Sequence, residues 1–184
     1  MITIVSGLPR SGTSMMMKML EAGGMPVLVD ADNPSTELNP GGAYAYAPTK
    51  TLGNDATWLR DAEGKAVKIV SYFLSHLPKE YHYKILFMER DIKETHTSTR
   101  KMIAGIGKYN PDVIGDENMM LKQREAVKQW LSRQNNMEVL LVDYNKLIES
   151  KNHKEIADFL GVKLDTAKMA SVPDKQFYRN RVSK

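Results

Sequence analysis

Gly7 and Gly12 stand between a β-branched run, Ile2 to Ser6, and a stretch of helix formers that ends at Gly23-Gly24. A strand, a tight glycine loop and a helix within the first 24 residues commit the chain to a parallel sheet, because a strand that feeds a helix returns to the sheet by a crossover. Further strand-sized apolar runs fall at 27–29, 66–70, 85–88 and 139–142. Helical segments are expected over 91–106 and 116–135, the second with Met119, Met120, Ala126, Val127, Trp130 and Leu131 on its apolar face. The expected fold class is therefore α/β, three layers, with a central, mostly parallel sheet of about five strands flanked by helices and residues 1–184 as one domain. Binding loops are expected at the carboxyl ends of the strands.

The segment Gly7-Leu8-Pro9-Arg10-Ser11-Gly12-Thr13-Ser14 has the spacing of a phosphate-binding loop in the strand-to-helix context that motif requires. Successive backbone N–H groups there form an anion-sized concavity, the positive end of the helix faces it, and the hydroxyls of Ser11, Thr13 and Ser14 add donors. A plain strand-to-helix turn capped by Ser11 explains neither both glycines nor the arginine inside the loop. Nucleoside-triphosphate enzymes place Lys directly after the second Gly to reach the terminal phosphates. Here that position is Thr13, and the cation has moved to Arg10.

A loop with a central basic residue and Thr or Ser after the second Gly resembles the 5′-phosphosulfate loop of sulfotransferases, P-[KR]-S-G-T-[TS]; Pro9 to Ser14 reads PRSGTS. The family also places an Arg at the end of a strand and a Ser eight residues later on the next helix, to hold a 3′-phosphate. The segment KILFMERDIKETHTSTR supplies Arg90 and Ser98 at that spacing. Residues 139–161, VLLVDYNKLIESKNHKEIADFLG, are similar to the family's strand, Tyr-x-x-Leu turn and Phe-Leu-Gly helix end, and Leu140, Leu141, Leu147, Ile156, Phe159 and Leu160 are expected in the core. The resemblance covers about half of the chain. It implies a P-loop fold, a 3′-phosphoadenosine 5′-phosphosulfate (PAPS) donor, 3′,5′-bisphosphoadenosine (PAP) as product and no metal. Arg10, Ser11, Gly12, Thr13, Ser14, Arg90 and Ser98 are the implied donor-binding residues.

Cations aimed at the bridging oxygen of the leaving nucleotide would carry most of the catalysis, with Arg10 first among them. In the family's K-x-H arrangement the Lys falls on Lys68, the second implied catalytic residue, and the His falls on Val70, which cannot remove a proton. Other candidates for a base are Asp30, Asp32, Glu37 and His76. Where bacterial relatives carry two Glu in an N-P-x-G-Y-Y-E-x-E-P pattern, this chain has Ala45 and Ala47. The late basic segment with Arg179 and Arg181 is a further place where a 3′-phosphate pocket is completed in the family.

Of 184 residues, 42% are apolar and 26% charged, and cysteine is absent, so disulfides, thiolate nucleophiles and Cys-ligated metals are out. The composition fits a reducing cytosol, and no apolar run approaches a membrane span. A formal net charge of +4, from 26 basic and 22 acidic residues, with neither a charge run nor an aromatic-rich sheet motif, argues against a nucleic-acid partner. The leading expectation is sulfuryl transfer to a small-molecule, saccharide or lipid acceptor through a hydroxyl or amine. The alternatives are a nucleoside-triphosphate kinase or hydrolase using Asp143 for magnesium, or a non-catalytic nucleotide-binding protein. At this length part of an acceptor pocket is expected from a second subunit, which makes a homodimer an expectation too.

Overall fold

The computed structural model describes all residues except 33, 35, 37–41, 108, 109, 151, 152 and 175–184. Five strands, β1 (Ile2–Gly7), β2 (Val27–Leu28), β3 (Ala66–Lys68), β4 (Tyr83–Glu89) and β5 (Met137–Asp143), form one sheet in the order β2-β3-β1-β4-β5. Every pairing is parallel, with Val5 opposite Lys68 on one side and Gly7 opposite Met88 on the other. The structure thus gives the expected α/β class and makes the sheet fully parallel. β1 is buried along its whole length because a neighbour flanks it on each side and layers cover both faces, which is why its sequence runs β-branched without alternating.

Side chains of alternate parity divide between two cores. Val5, Leu86 and Met88 pack with α1 (Thr13–Ala22), α4 (Tyr144–Glu149), α5 (Lys154–Leu160) and α6 (Thr166–Ala170). Ile4, Ile85 and Phe87 face the opposite layer, made from the 3₁₀ turns at Thr57–Ala62 and Ser71–His76 and the end of α3 (Glu117–Leu131). Burial of each large aliphatic side chain contributes roughly 1.5 to 3 kcal/mol, so these two layers hold the sheet. Both long helices start on a side-chain cap: Asp91 accepts from the N–H groups of Lys93 and Glu94 before α2 (Ile92–Ile106), and Asp116 accepts from Met119 before α3.

Two apolar expectations change at the sheet's edge. Leu141 lies on the last strand and is 47% exposed, because β5 has no outer neighbour among the described residues. On α3, Met120 and Leu131 are buried whereas Met119 and Ala126 face solvent, so the helix shows the core a narrower stripe than its composition implies. Lys84, in the middle of β4, reaches across the sheet to the end of α5, where its ammonium donates to the carbonyls of Phe159 (2.7 Å) and Leu160 (3.3 Å) and lies over the Phe159 ring. It neutralises the negative end of that helix and satisfies two carbonyls the helix cannot. Lys84→Met is expected to cost about 1 to 2 kcal/mol and lower the thermal midpoint by roughly 3 to 6 °C, without changing anion binding at the loop described below; calorimetry with and without sulfate checks both parts.

Candidate active site

The loop between β1 and α1 needs its two glycines for separate steric reasons. Gly7 has φ +148°, and a Cβ there would meet the Ser11 hydroxyl at 2.5 Å and the Met88 carbonyl at 2.7 Å. Gly12 has φ +101°, and its Cβ would lie 2.3 Å from the Tyr144 ring. Arg10 also adopts a left-handed conformation (φ +69°), which a non-glycine residue keeps only when its surroundings hold it. Gly12 is the N-cap of α1 and no side chain caps that helix, so the first-turn N–H groups are left to face the cleft in front of the loop.

That cleft has a volume of about 280 Å³ and gathers cations from three elements: Arg10 from the loop, Lys68 from the end of β3 and Arg90 just after β4. Thr13, Ser14 and Val70 line it as well, as do Gly42 and Ala43. Sheet topology brings the cations together, because β3 and β4 are the two parallel neighbours of β1 and their carboxyl ends lie on the same side of the sheet. Among its described lining residues there is no carboxylate and no imidazole.

Arg10 is oriented from behind, its Nε donating to the Ser98 hydroxyl at 3.1 Å. Arg90 is held on three sides: its Nε donates to the Glu94 carboxylate at 2.9 Å, its Nη1 contacts the Arg10 carbonyl at 3.4 Å, and its guanidinium stacks 4.6 Å from the centre of the Tyr144 ring. The Arg90–Glu94 pair is buried, with side chains 7% and 2% exposed. Lys68 donates to the Ala43 carbonyl and lies 3.3 Å from the Ser14 hydroxyl, which itself donates to Ala43 at 2.8 Å. Burial first, and then the charge of Arg10, pull the Lys68 ammonium down to about 8.

Of the residues expected from sequence, Arg10, Gly12, Thr13, Ser14, Lys68 and Arg90 converge on one cleft. Ser11 does not line it; its hydroxyl is turned inward beside Gly7 and has no hydrogen-bond partner among the described residues. Ser98 lies in a second layer, behind Arg10. Asp30 closes a loop by accepting from the Ala47 N–H, Asp32 is exposed, and His76 packs on Gly53 and Phe73, all outside the cleft. Asp143 caps α4 instead of facing the loop, which removes the magnesium carboxylate on which the kinase alternative depends. Glu37, Arg179 and Arg181 lie outside the described residues.

Tyr144 is the contributor that sequence reading missed, whereas Glu94 is the near neighbour in sequence with which Arg90 pairs. Glu94, Thr95, Ser98 and Thr99 are all buried on one face of α2: Glu94 and Ser98 meet Arg90 and Arg10, and the Thr95 and Thr99 hydroxyls bond carbonyls one turn back.

The sulfotransferase domain family matches residues 2–181, which is nearly the whole chain. The chain belongs to the sulfotransferase family. Its fold is shared with the sulfotransferase domain of the Synechococcus PCC 7002 olefin synthase, at a TM-score of 0.55 and 17% identity, over 98% of this chain and 83% of that one. A sulfotransferase domain from the curacin biosynthetic pathway aligns at a TM-score of 0.47 and 14% identity, over 100% of this chain and 92% of that one. No curated protein sequence matched the chain. Membership supports sulfuryl transfer as the reaction class of this sulfotransferase. No helix among its described residues is long and apolar enough to cross a membrane.

An anion placed in the cleft stabilises the charged form of Lys68, so binding near pH 8 takes up a proton. The sign follows from the depressed value in the free protein: below about 8 the ammonium is already present, and above it each bound anion must first be matched by a proton. Sulfate, which does not titrate in this range, is expected to lose affinity by up to about tenfold per pH unit above pH 8. Titration calorimetry in two buffers of different ionisation enthalpy checks this at pH 8.5; a pH-independent affinity from 7 to 9.5 contradicts it, and Lys68→Met should remove the dependence.

Proposed function

We propose that the donor of this sulfotransferase is PAPS, with PAP as the product, and that its sulfuryl group passes to a small-molecule acceptor. The observation that carries this is the convergence of Arg10, Lys68 and Arg90 on one uncapped helix terminus, in a cleft whose described lining holds no opposing carboxylate. A doubly phosphorylated nucleotide fits such a donor set.

The donor supplies the sulfuryl group. Backbone N–H groups at Thr13 and Ser14, with the Thr13 hydroxyl, bind the 5′-phosphate end. Arg90, backed by Glu94 and stacked on Tyr144, binds the 3′-phosphate with the planar guanidinium fork that suits phosphate oxygens. Arg10 and Lys68 face the bond that breaks. As the acceptor oxygen bonds to sulfur, the electron pair of the broken S–O bond stays on the nucleotide phosphate, where these two cations stabilise it. The acceptor proton passes to water. Ser98 holds Arg10 in place.

Saturating PAP, at about 100 times its dissociation constant, is expected to add about 2.7 kcal/mol and raise the thermal midpoint by roughly 5 to 10 °C. A rise with ATP and magnesium but none with PAP overturns the donor assignment. Removing Arg90 alone takes a charge partner from a buried carboxylate, so the informative variant is Arg90→Gln with Glu94→Gln. It should weaken PAP roughly 30- to 100-fold by calorimetry while staying folded. Arg10→Ala should lower turnover far more than PAP affinity, and the reverse pattern would make Arg10 a binding residue only.

A further inference from the structure

Arg90 stands at a junction between two hydrogen-bond ladders. The last register pair of β4 and β5 is Glu89 with Asp143, and the first carbonyl that bonds into α2 is that of the Asp91 cap, so the Arg90 carbonyl lies past the sheet ladder and before the helix ladder. Arg124, halfway along α3, reaches it. Its Nη1 donates to that carbonyl at 3.2 Å, while its Nε lies 3.2 Å from the Glu125 carboxylate and 3.8 Å from that of Glu89. One turn on, Lys128 donates to the Glu89 carboxylate at 2.8 Å. The two cations of α3 therefore grip the end of β4 differently: Lys128 holds a side chain, and Arg124 holds the main chain of Arg90 itself. The charge of Arg124 is met on the spot by Glu89 and Glu125, and Arg124 is not among the residues that line the cleft, so what it supplies to the site is geometry.

We infer that Arg124 is a positioning residue for recognition of the donor's 3′-phosphate: by fixing the Arg90 carbonyl it sets where the chain leaves β4 and turns into α2, and with it the direction of the Arg90 guanidinium. The inference rests on the donor reading above and adds a residue outside the cleft that acts through Arg90. Glu94 and the Tyr144 ring hold the far end of the Arg90 side chain, and Arg124 holds its root, so the guanidinium is fixed from both ends. A planar guanidinium binds phosphate through parallel N–H groups, a geometry that tolerates less misplacement than a point charge does. Loss of the tie therefore falls on the 3′-phosphate more than on the 5′ end, which is bound by N–H groups of the loop after β1.

PAP and 5′-AMP differ by the 3′-phosphate, so titration calorimetry with each separates positioning of Arg90 from a general loss of structure. Arg124→Met is expected to weaken PAP roughly tenfold and 5′-AMP less than about twofold. Arg124→Gln, which keeps a polar end on a shorter stem, is measured beside it as a milder change and carries the same selective loss. Lys128→Met loosens α3 from the same strand end but leaves the Arg90 carbonyl bonded, and should stay within about twofold of wild type for both nucleotides. Equal losses for PAP and 5′-AMP in the Arg124 variants, unchanged affinity for both, or the same PAP loss in Lys128→Met overturns the inference. Wild-type protein that binds PAP no more tightly than 5′-AMP overturns the assignment of Arg90 to a 3′-phosphate, and the role of Arg124 falls with it; that failure is read from the wild type alone, before any variant is made.

Discussion

The contact between Gly12 and the Tyr144 ring sets the position of everything else in the cleft. No side chain fits between them, so the loop after β1 is pressed against the start of α4, and the ring's other neighbour, Arg90, is fixed relative to the loop by the same contact. One aromatic residue thereby joins three strands' worth of structure: the loop leaving β1, the Arg leaving β4 and the helix leaving β5. Rigid backbone around the loop is what allows Arg10 to keep a left-handed conformation that an arginine elsewhere would relax.

The electrostatic cost of this arrangement is visible in its partners. Three cations crowd a small cleft, and each is managed differently. Arg90 has a buried carboxylate from its own helix, Arg10 has a neutral hydroxyl from the next turn of α2, and Lys68 has the Ala43 carbonyl across the mouth. Burial first, and then the nearby charge of Arg10, make Lys68 give up part of its proton affinity. A site that pays for concentrated positive charge in the absence of ligand is organised around a multiply charged anion, in keeping with the reaction class of the family.

Much of this was legible in the sequence, and the parts that were not have physical reasons. The Gly7–Gly12 spacing announced the loop, β-branched runs announced buried parallel strands, and Arg90 stood at the spacing from Ser98 that the family uses. The side-chain directions within those motifs were hidden. Ser11 turns inward because the space beside the close-packed Gly7 accepts its hydroxyl, and Ser98 reaches Arg10 instead of the cleft because α2 lies behind the loop. Tyr144 reads as the first residue of a structural turn until the fold brings Gly12 and Arg90 to its two faces. Leu141 and Met119 belong to apolar patterns whose burial depends on what sits outside the sheet edge and the helix, which no local pattern encodes.

The central claim is that one cleft, shaped by Gly12 and Tyr144, seats both phosphates of a single nucleotide. A crystal structure with PAP tests it most directly. The account predicts the 5′-phosphate within hydrogen-bonding distance of the Thr13 and Ser14 N–H groups and Lys68, with the 3′-phosphate on Arg90. Density for the nucleotide away from the loop, or a 3′-phosphate that leaves Arg90 untouched, would contradict it.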